Sequence, residues 1–415
     1  MRKLLLSITL LAGFFLSAWA VVDTEGTDVL RTYPSCERSH YPFTLKTAVV
    51  ESQMQSLLEE HAKHSDIYSL SCSRRDRRPS ALCHSVRRVG MFDVGSTGIR
   101  LLVADIDLVT SHVNRLCSFE YSMPFGLSEE DSLARLAAIG AMKRVVEERY
   151  GSVQEIEFSA VATAGFRSAG EQGQALAKDI TRITGVDFRV IDQDREGVLA
   201  FLGANLEYPR ADPSRVVVWD IGGGSMQITM KQPDAQLLMA GCEIAARTFL
   251  EQTLMHVKTG AELITPNPMS INEAEQTFDL ARALLTGAST VPSELMPFDA
   301  KELELLRQRI RSEKYVLGIG GVHARIVLPC VRAVTGVKEL HYTPESLRQT
   351  IDYMIAQELT DDGIHQLVGS TMDNFPSTLS SLILVYTVLE LLGIKHVQVL
   401  DINNTQGLVA DYVRS

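Results

Sequence analysis

The chain has 415 residues, 45% apolar and 22% charged, with 28 glycines and 14 prolines. That composition excludes a disordered chain, a collagen and a small disulfide scaffold, and at roughly 100–200 residues per domain it predicts two or three domains. The formal net charge of −11 argues against a basic nucleic-acid-binding face, so no nucleic-acid partner is expected.

Arg2 and Lys3 precede the apolar run from Leu4 to Leu16, and Ala18-Trp19-Ala20 fits a small-x-small cleavage site. The run is shorter than the roughly 18–20 residues of a membrane span, and no basic stop-transfer cluster follows it. Residues 1–20 therefore read as a signal peptide. The mature protein is expected to be periplasmic or secreted, with no stable membrane anchor. Residues 21–88 form an N-terminal extension of poor periodicity. It holds Cys36, Cys72 and Cys83 and the basic run Arg74-Arg75-Asp76-Arg77-Arg78. An even count of six cysteines in an exported chain permits disulfides, and Cys72 with Cys83 would close a small loop. Cys242 and Cys330 lie among apolar neighbours and read as buried thiols. No Cys/His spacing suggests zinc.

From residue 88 the pattern becomes α/β. Val89 to Asp93 and Ile99 to Ile106 read as a hairpin. Ser128 with Asp131 resembles a capping box before an apolar periodic run that stops at Gly151. A strand is expected at 156–161, a helix at 175–183 ended by Gly185, a strand at 188–191 and a helix through Leu206. Tyr208 to Pro213 is a linker signal, which divides the body into a first lobe at 89–212 and a second at 213–415. Val216 to Asp220 is a buried strand with a hairpin partner at 226–230. A helix covers 244–257, a strand 315–319, and Thr343-Pro344 opens another helix. Leu379 to Leu392 reads as a core helix, and the chain closes with a strand at 396–400 and a helix at 405–413.

Two segments repeat one design 127 positions apart: Phe92-Asp93-Val94-Gly95-Ser96 and Trp219-Asp220-Ile221-Gly222-Gly223-Gly224-Ser225. Each is a strand, an Asp, an aliphatic residue, a Gly-rich turn and a returning strand. The duplication predicts two similar α/β lobes facing across a cleft. In such turns backbone N–H groups converge on an anion because no Cβ blocks the approach, and the Ser hydroxyl adds a donor. Gly95, Ser96 and Thr97, then Gly222, Gly223, Gly224 and Ser225, with a third turn at Gly320-Gly321, are the candidate phosphate cradle. Asp93 and Asp220 at the strand ends would repel phosphate by themselves, so they imply a divalent cation or an ordered water. Arg100 and Arg167 offer planar donors for phosphate oxygens, or ion pairs between the lobes. Glu196, at a strand-to-helix junction, is placed to take a proton from water; as an acidic residue in a first helical turn it would also simply favour the helix dipole.

Asp93 to Arg100, Ala162-Thr163-Ala164-Gly165-Phe166-Arg167, Glu196 to Gly203, Asp220 to Ser225 and Gly318 to Gly321 occur in that order. This series resembles the exopolyphosphatase/guanosine pentaphosphatase (Ppx/GppA) family of the actin-like ATPase superfamily, from about residue 88 to the end. The resemblance implies two ribonuclease-H-like lobes around an interlobe cleft. It also implies Mg²⁺ or another divalent cation, attack by water, and release of terminal phosphate from polyphosphate or another phosphoanhydride. It places Glu196 at the catalytic Glu and brings Thr163 and Arg167 to the substrate; a homodimer is compatible with it. The family's usual Glu two residues after the second-turn Ser is here Gln227. That variant resembles the apyrases, where a Gln helps position the attacking water. An apyrase-like nucleoside di/triphosphate hydrolase and a non-catalytic phosphate- or nucleotide-binding module of actin-like fold remain the alternative readings.

Overall fold

The computed structural model describes residues 50–56, 85–151, 156–209, 211–258, 264–288, 295–311, 315–369 and 375–414. The signal peptide expected at 1–20, Cys36, Cys72, Cys83 and the basic run at 74–78 lie outside the described residues.

β1 (Val86–Val94) and β2 (Gly98–Asp107) pair antiparallel around the turn at 95–97, with the N–H of Gly95 donating to the Gly98 carbonyl at 2.9 Å. Both are central strands, so their apolar residues run nearly unbroken rather than alternating. β3 (His112–Ser122) flanks β2 at the sheet edge and carries mixed exposure, which is why its polar sequence gives no strand signal. β4 (Glu157–Ala162) and β5 (Asp187–Val190) continue in parallel on the other side of β1. The helices between them are α1 (Glu129–Tyr150), the short α2 (Ala164–Ser168) and α3 (Gly170–Thr184). Ser128 caps α1 by accepting from the N–H of Asp131, as the sequence predicts.

The second sheet repeats the plan. β6 (Val216–Ile221), β7 (Met226–Lys231) and β8 (Leu237–Cys242) form an antiparallel meander, and β9 (Tyr315–Ile319) and β11 (Val397–Val399) extend it in parallel beside β6. The first sheet reads β3-β2-β1-β4-β5. The second reads β8-β7-β6-β9-β11, with the two-residue β10 (His341–Tyr342) added at its edge. Two sheets sharing one strand order match the two similar α/β lobes that the duplicated motif predicts, and the ribonuclease-H-like lobes that the resemblance implies. Parallel neighbours need long crossovers, and helices supply them. α4 (Gln193–Glu207) joins the two sheets in sequence, and α5 (Ala246–His256), α6 (Ile271–Thr286) and α7 (Ala300–Ile310) fill the stretch from β8 to β9. α8 (Leu328–Thr335), α9 (Pro344–Ala356), α10 (Asp361–Val368) and the apolar α11 (Thr378–Leu392) follow, and α12 (Asn404–Tyr412) ends the chain. No described helix is long and apolar enough to cross a membrane.

The chain divides into two compact units, one reaching Val190 without 163–165, the other comprising 163–165 and everything from Ile191. This division falls after Val190, ahead of the linker signal at Tyr208 to Pro213. α4 packs on β6, β7 and β8 and against α12, so it belongs with the second sheet. Each unit has its own apolar core. The helical segment 50–56 contributes to the first: Val50 and Met54, one turn apart and fully buried, belong to its apolar cluster. Cys117, Cys242 and Cys330 are buried free thiols. Burial pushes the Cys117 thiol up to about 11 and that of Cys330 to about 12, which keeps both protonated.

Candidate active site

In the second unit β6 delivers Asp220 to the end of a fully buried strand. The antiparallel register sets Gln227 of β7 directly opposite Asp220, so both project on one face of the sheet. The turn between them is closed by the N–H of Gly222 donating to the Ser225 carbonyl at 3.1 Å. The first turn of α5 then binds the turn's other carbonyls. Ala246 N–H donates to Gly222 O at 3.2 Å and Arg247 N–H to Gly223 O at 2.8 Å. A trans peptide points its N–H opposite to its C=O. With those carbonyls turned to α5, the N–H groups of Gly223 and Gly224 face the other way, as a phosphate-binding nest requires.

Glu196 lies in the first turn of α4, whose N-cap Asp192 accepts from the N–H of Arg195 at 2.7 Å. Its carboxylate is buried rather than solvated at the helix end, with only 6% exposure. The amide of Gln227 donates to Glu196 Oε2 at 3.3 Å and to Ser225 Oγ at 3.0 Å. Both donations come from Nε2, which leaves Oε1 as the acceptor available to a water. The fold therefore joins three predicted site residues, Glu196, Ser225 and Gln227, into one network and sets Asp220 across the strand from it.

Two glycines make this geometry possible. Gly320 has φ of +84°, and a Cβ there would stand 2.5 Å from Asp220 Oδ1, so the predicted third turn abuts the Asp220 carboxylate. Gly197 lets α4 lie down on the sheet: a Cβ would meet Thr229 Oγ1 at 2.7 Å and Met239 Sδ at 2.9 Å. Gly197→Ala is expected to lift the first turn of α4 and carry Glu196 away from Gln227. Overpacking of this kind costs about 1–3 kcal/mol. Turnover should fall at least about tenfold, since small misplacements at a reacting centre are costly. Urea unfolding and phosphate release on the same preparation check both; an unchanged rate would show that the α4 docking does not set the site.

In the first unit the same design recurs with a different partner. Asp93 is buried and directly opposite Arg100 of β2. Arg100 lies 3.6 Å from Asp93 Oδ2 and binds Glu120 of β3 at 3.0 Å. Glu120 sits opposite Arg100 in register, and sequence reasoning missed it because it missed β3. Both of these pairs lie within Arg100's own sheet. Ser96 is buried and Gly95 and Thr97 are half-buried in the turn; Thr163 is buried just past β4, and Arg167 is half-buried on α2. Among the described residues no three His, Cys, Asp or Glu side chains cluster as a metal site.

Beneath the second unit's turn lies a buried aromatic group. His323, in a π-helical turn after Gly321, binds the Tyr342 hydroxyl through Nδ1 at 2.7 Å and meets the Trp219 ring edge-on at 4.6 Å. It is fully buried. Burial lowers its pKa from 6.5 to about 3. The unfolded chain therefore binds a proton between those values that the folded chain does not, so the His323 contribution is intact above about 6.5 and lost as pH falls toward 3. A His323→Phe variant should show a shallower loss of stability between pH 7 and 4.5 in urea unfolding; equal slopes would refute the neutral buried imidazole.

The Ppx/GppA phosphatase family model matches residues 137–414. The chain belongs to the Ppx/GppA family. A member of that family from Aquifex aeolicus is similar in structure with a TM-score of 0.58 at 16% identity, covering 79% of this chain and 98% of its own. An exopolyphosphatase from Cytophaga hutchinsonii is similar with a TM-score of 0.58 at 18% identity, again covering 79% of this chain and 98% of its own. At such identities these likenesses show the fold, and it is the two-lobed actin-like fold that the resemblance of the motifs implies. No curated protein sequence matches the chain. Within the Ppx/GppA frame, this chain sets Gln227 opposite its second-turn Asp and Arg100 opposite its first.

Proposed function

We propose that this Ppx/GppA protein is an exported, divalent-cation-dependent phosphohydrolase that releases terminal phosphate from a phosphoanhydride, with inorganic polyphosphate as first substrate. The observation that carries the reading is the Glu196–Gln227–Ser225 network, buried on the same sheet face as Asp220 and beside a nest of glycine N–H groups. The glycine turn binds phosphate oxygens. Gln227 Oε1 orients a water toward the terminal phosphorus, and Glu196 takes the proton as the new P–O bond forms and the bridging P–O bond breaks. Phosphate leaves with the oxygen that came from water. Ser96 and Thr97, in the turn closed by Gly95, offer donors of the same kind in the first unit.

The residues present suit a hard cation. Asp93 and Asp220 offer carboxylate oxygens at strand ends, and Mg²⁺ typically keeps several waters and uses one or two carboxylates together with substrate phosphates. When bound, such an ion neutralises charge that develops on the phosphoryl oxygens. Export rests on the pattern of residues 1–20 and accords with the free thiols of the two units being buried.

The test is phosphate release from polyphosphate, ATP and ADP, each with and without EDTA. Release from polyphosphate that EDTA abolishes supports the reading. Faster release from ATP and ADP makes the protein apyrase-like, and binding without turnover makes it a non-catalytic module. Peptide sequencing of the N-terminus of exported protein tests cleavage after Ala20; retained residues 1–20 would overturn it.

A further inference from the structure

Among the described residues Arg135 is the only Lys or Arg that is buried. It lies on α1 with 0% exposure. Its Nε and Nη1 have no hydrogen-bond partner. Only Nη2 is bonded, to Pro124 O at 2.9 Å and Met123 O at 3.4 Å. The guanidinium lies 4.8 Å from the Phe125 ring and 5.8 Å from that of Phe166, and these rings touch each other at 4.9 Å. A buried charge so sparsely bonded is poor evidence of a stabilising role, since an apolar side chain of similar volume often serves as well.

The segment it holds is tied to the first unit's turn. Phe125 N–H donates to Ser96 O at 2.8 Å, and Met123 N–H donates to Thr97 O at 3.0 Å. The carbonyl of Pro124 and the N–H of Phe125 belong to one peptide group. So the chain of donation runs from the guanidinium into that peptide, from it into the Ser96 carbonyl, and so into the peptide that bears the Thr97 N–H. Hydrogen bonds in series polarise one another, more so away from water. Each link makes the Thr97 N–H a better donor to an anion. The cation–π contacts fix the guanidinium plane and add to its attraction when desolvated.

We propose that Arg135 is a positioning residue for phosphate binding: through the Met123–Phe125 strap it holds the Gly95–Thr97 turn in its anion-binding form and strengthens the turn's donors. The proposal rests on the reading of that turn as a phosphate site. Burial lowers the Arg135 pKa to about 10, so it carries its charge at neutral pH.

The experiment compares KM and kcat for polyphosphate, and competitive inhibition by inorganic phosphate, in wild type, Arg135→Met, Arg135→Lys and Ser96→Ala. Arg135→Met keeps the length and apolar packing. It should raise KM and the phosphate inhibition constant by about tenfold, a change of about 1.4 kcal/mol, with kcat within about threefold and the urea midpoint retained. Arg135→Lys retains the charge but not the stacked plane and should fall between the two. If Arg135→Met does not fold, the Lys variant decides: an unchanged KM overturns the proposal. A change in stability with KM unmoved likewise makes Arg135 structural only. Ser96→Ala separates the two claims. If it raises KM while Arg135→Met does not, only the role of Arg135 fails; if it too leaves KM unmoved, the turn is not a phosphate site and both fall.

Discussion

Replacing Glu196 by Gln will lower kcat by about 10²–10⁴-fold, the usual contribution of a general base, and leave substrate binding nearly intact. The change is close to isosteric and removes only charge and basicity. A Gln side chain still offers an oxygen to the Nε2 of Gln227, so the 3.3 Å contact has a successor and the burial of α4 on its sheet is kept. Single-turnover phosphate release and equilibrium binding of a polyphosphate chain give the two readouts. A variant that keeps more than about a tenth of the wild-type rate would remove Glu196 from the mechanism and leave it as a buried polar residue of the first helical turn.

The second large effect is at Gln227. Its Nε2 is committed to Glu196 and Ser225, and in the proposed mechanism its Oε1 orients the water. Gln227→Leu keeps the bulk and removes both functions. It should cost about 10²-fold or more in rate, because the geometry of the attacking water is lost. It should also leave the Glu196 carboxylate short of a buried donor. Gln227→Glu is more discriminating. It would set two carboxylates where the amide now touches Glu196, and like charges so close raise the pKa of the pair. The acidic limb of the pH–rate profile should therefore move to higher pH, with a stronger requirement for the cation that offsets the added charge. A Gln227→Leu enzyme running at the wild-type rate would show that residues 225–227 only build the hairpin.

The strand-Asp-turn-strand design at Asp93 and Asp220 was legible because it is local. Asp is followed by its opposite residue at the same spacing in both copies, Arg100 and Gln227, and short-range geometry follows from short-range spacing. Cap and stop signals were local in the same way, at Ser128, Gly185 and the Thr343-Pro344 pair. β3 escaped because it is an edge strand of mixed exposure, where the period-two pattern fades; β8 alternates strictly in burial, but Leu237 to Cys242 is apolar or Gly at every position, so the sequence carries no alternation to read.

By itself the sequence determined that two α/β units each carry a glycine-rich turn beside a strand-end carboxylate, since chain chirality and hydrogen-bonding rules leave such segments few alternatives. Only the tertiary structure decided which groups meet. Glu196 and Gln227 are 31 residues apart and touch because Gly197 lets α4 settle on Thr229 and Met239. His323 is buried rather than exposed because Trp219 and Tyr342 close around it. Arg135 reaches the first turn through a peptide ten residues before it in the chain. Each depends on packing between distant segments, whose shape is set by the sum of all side chains in contact and not by the spacing of any few of them.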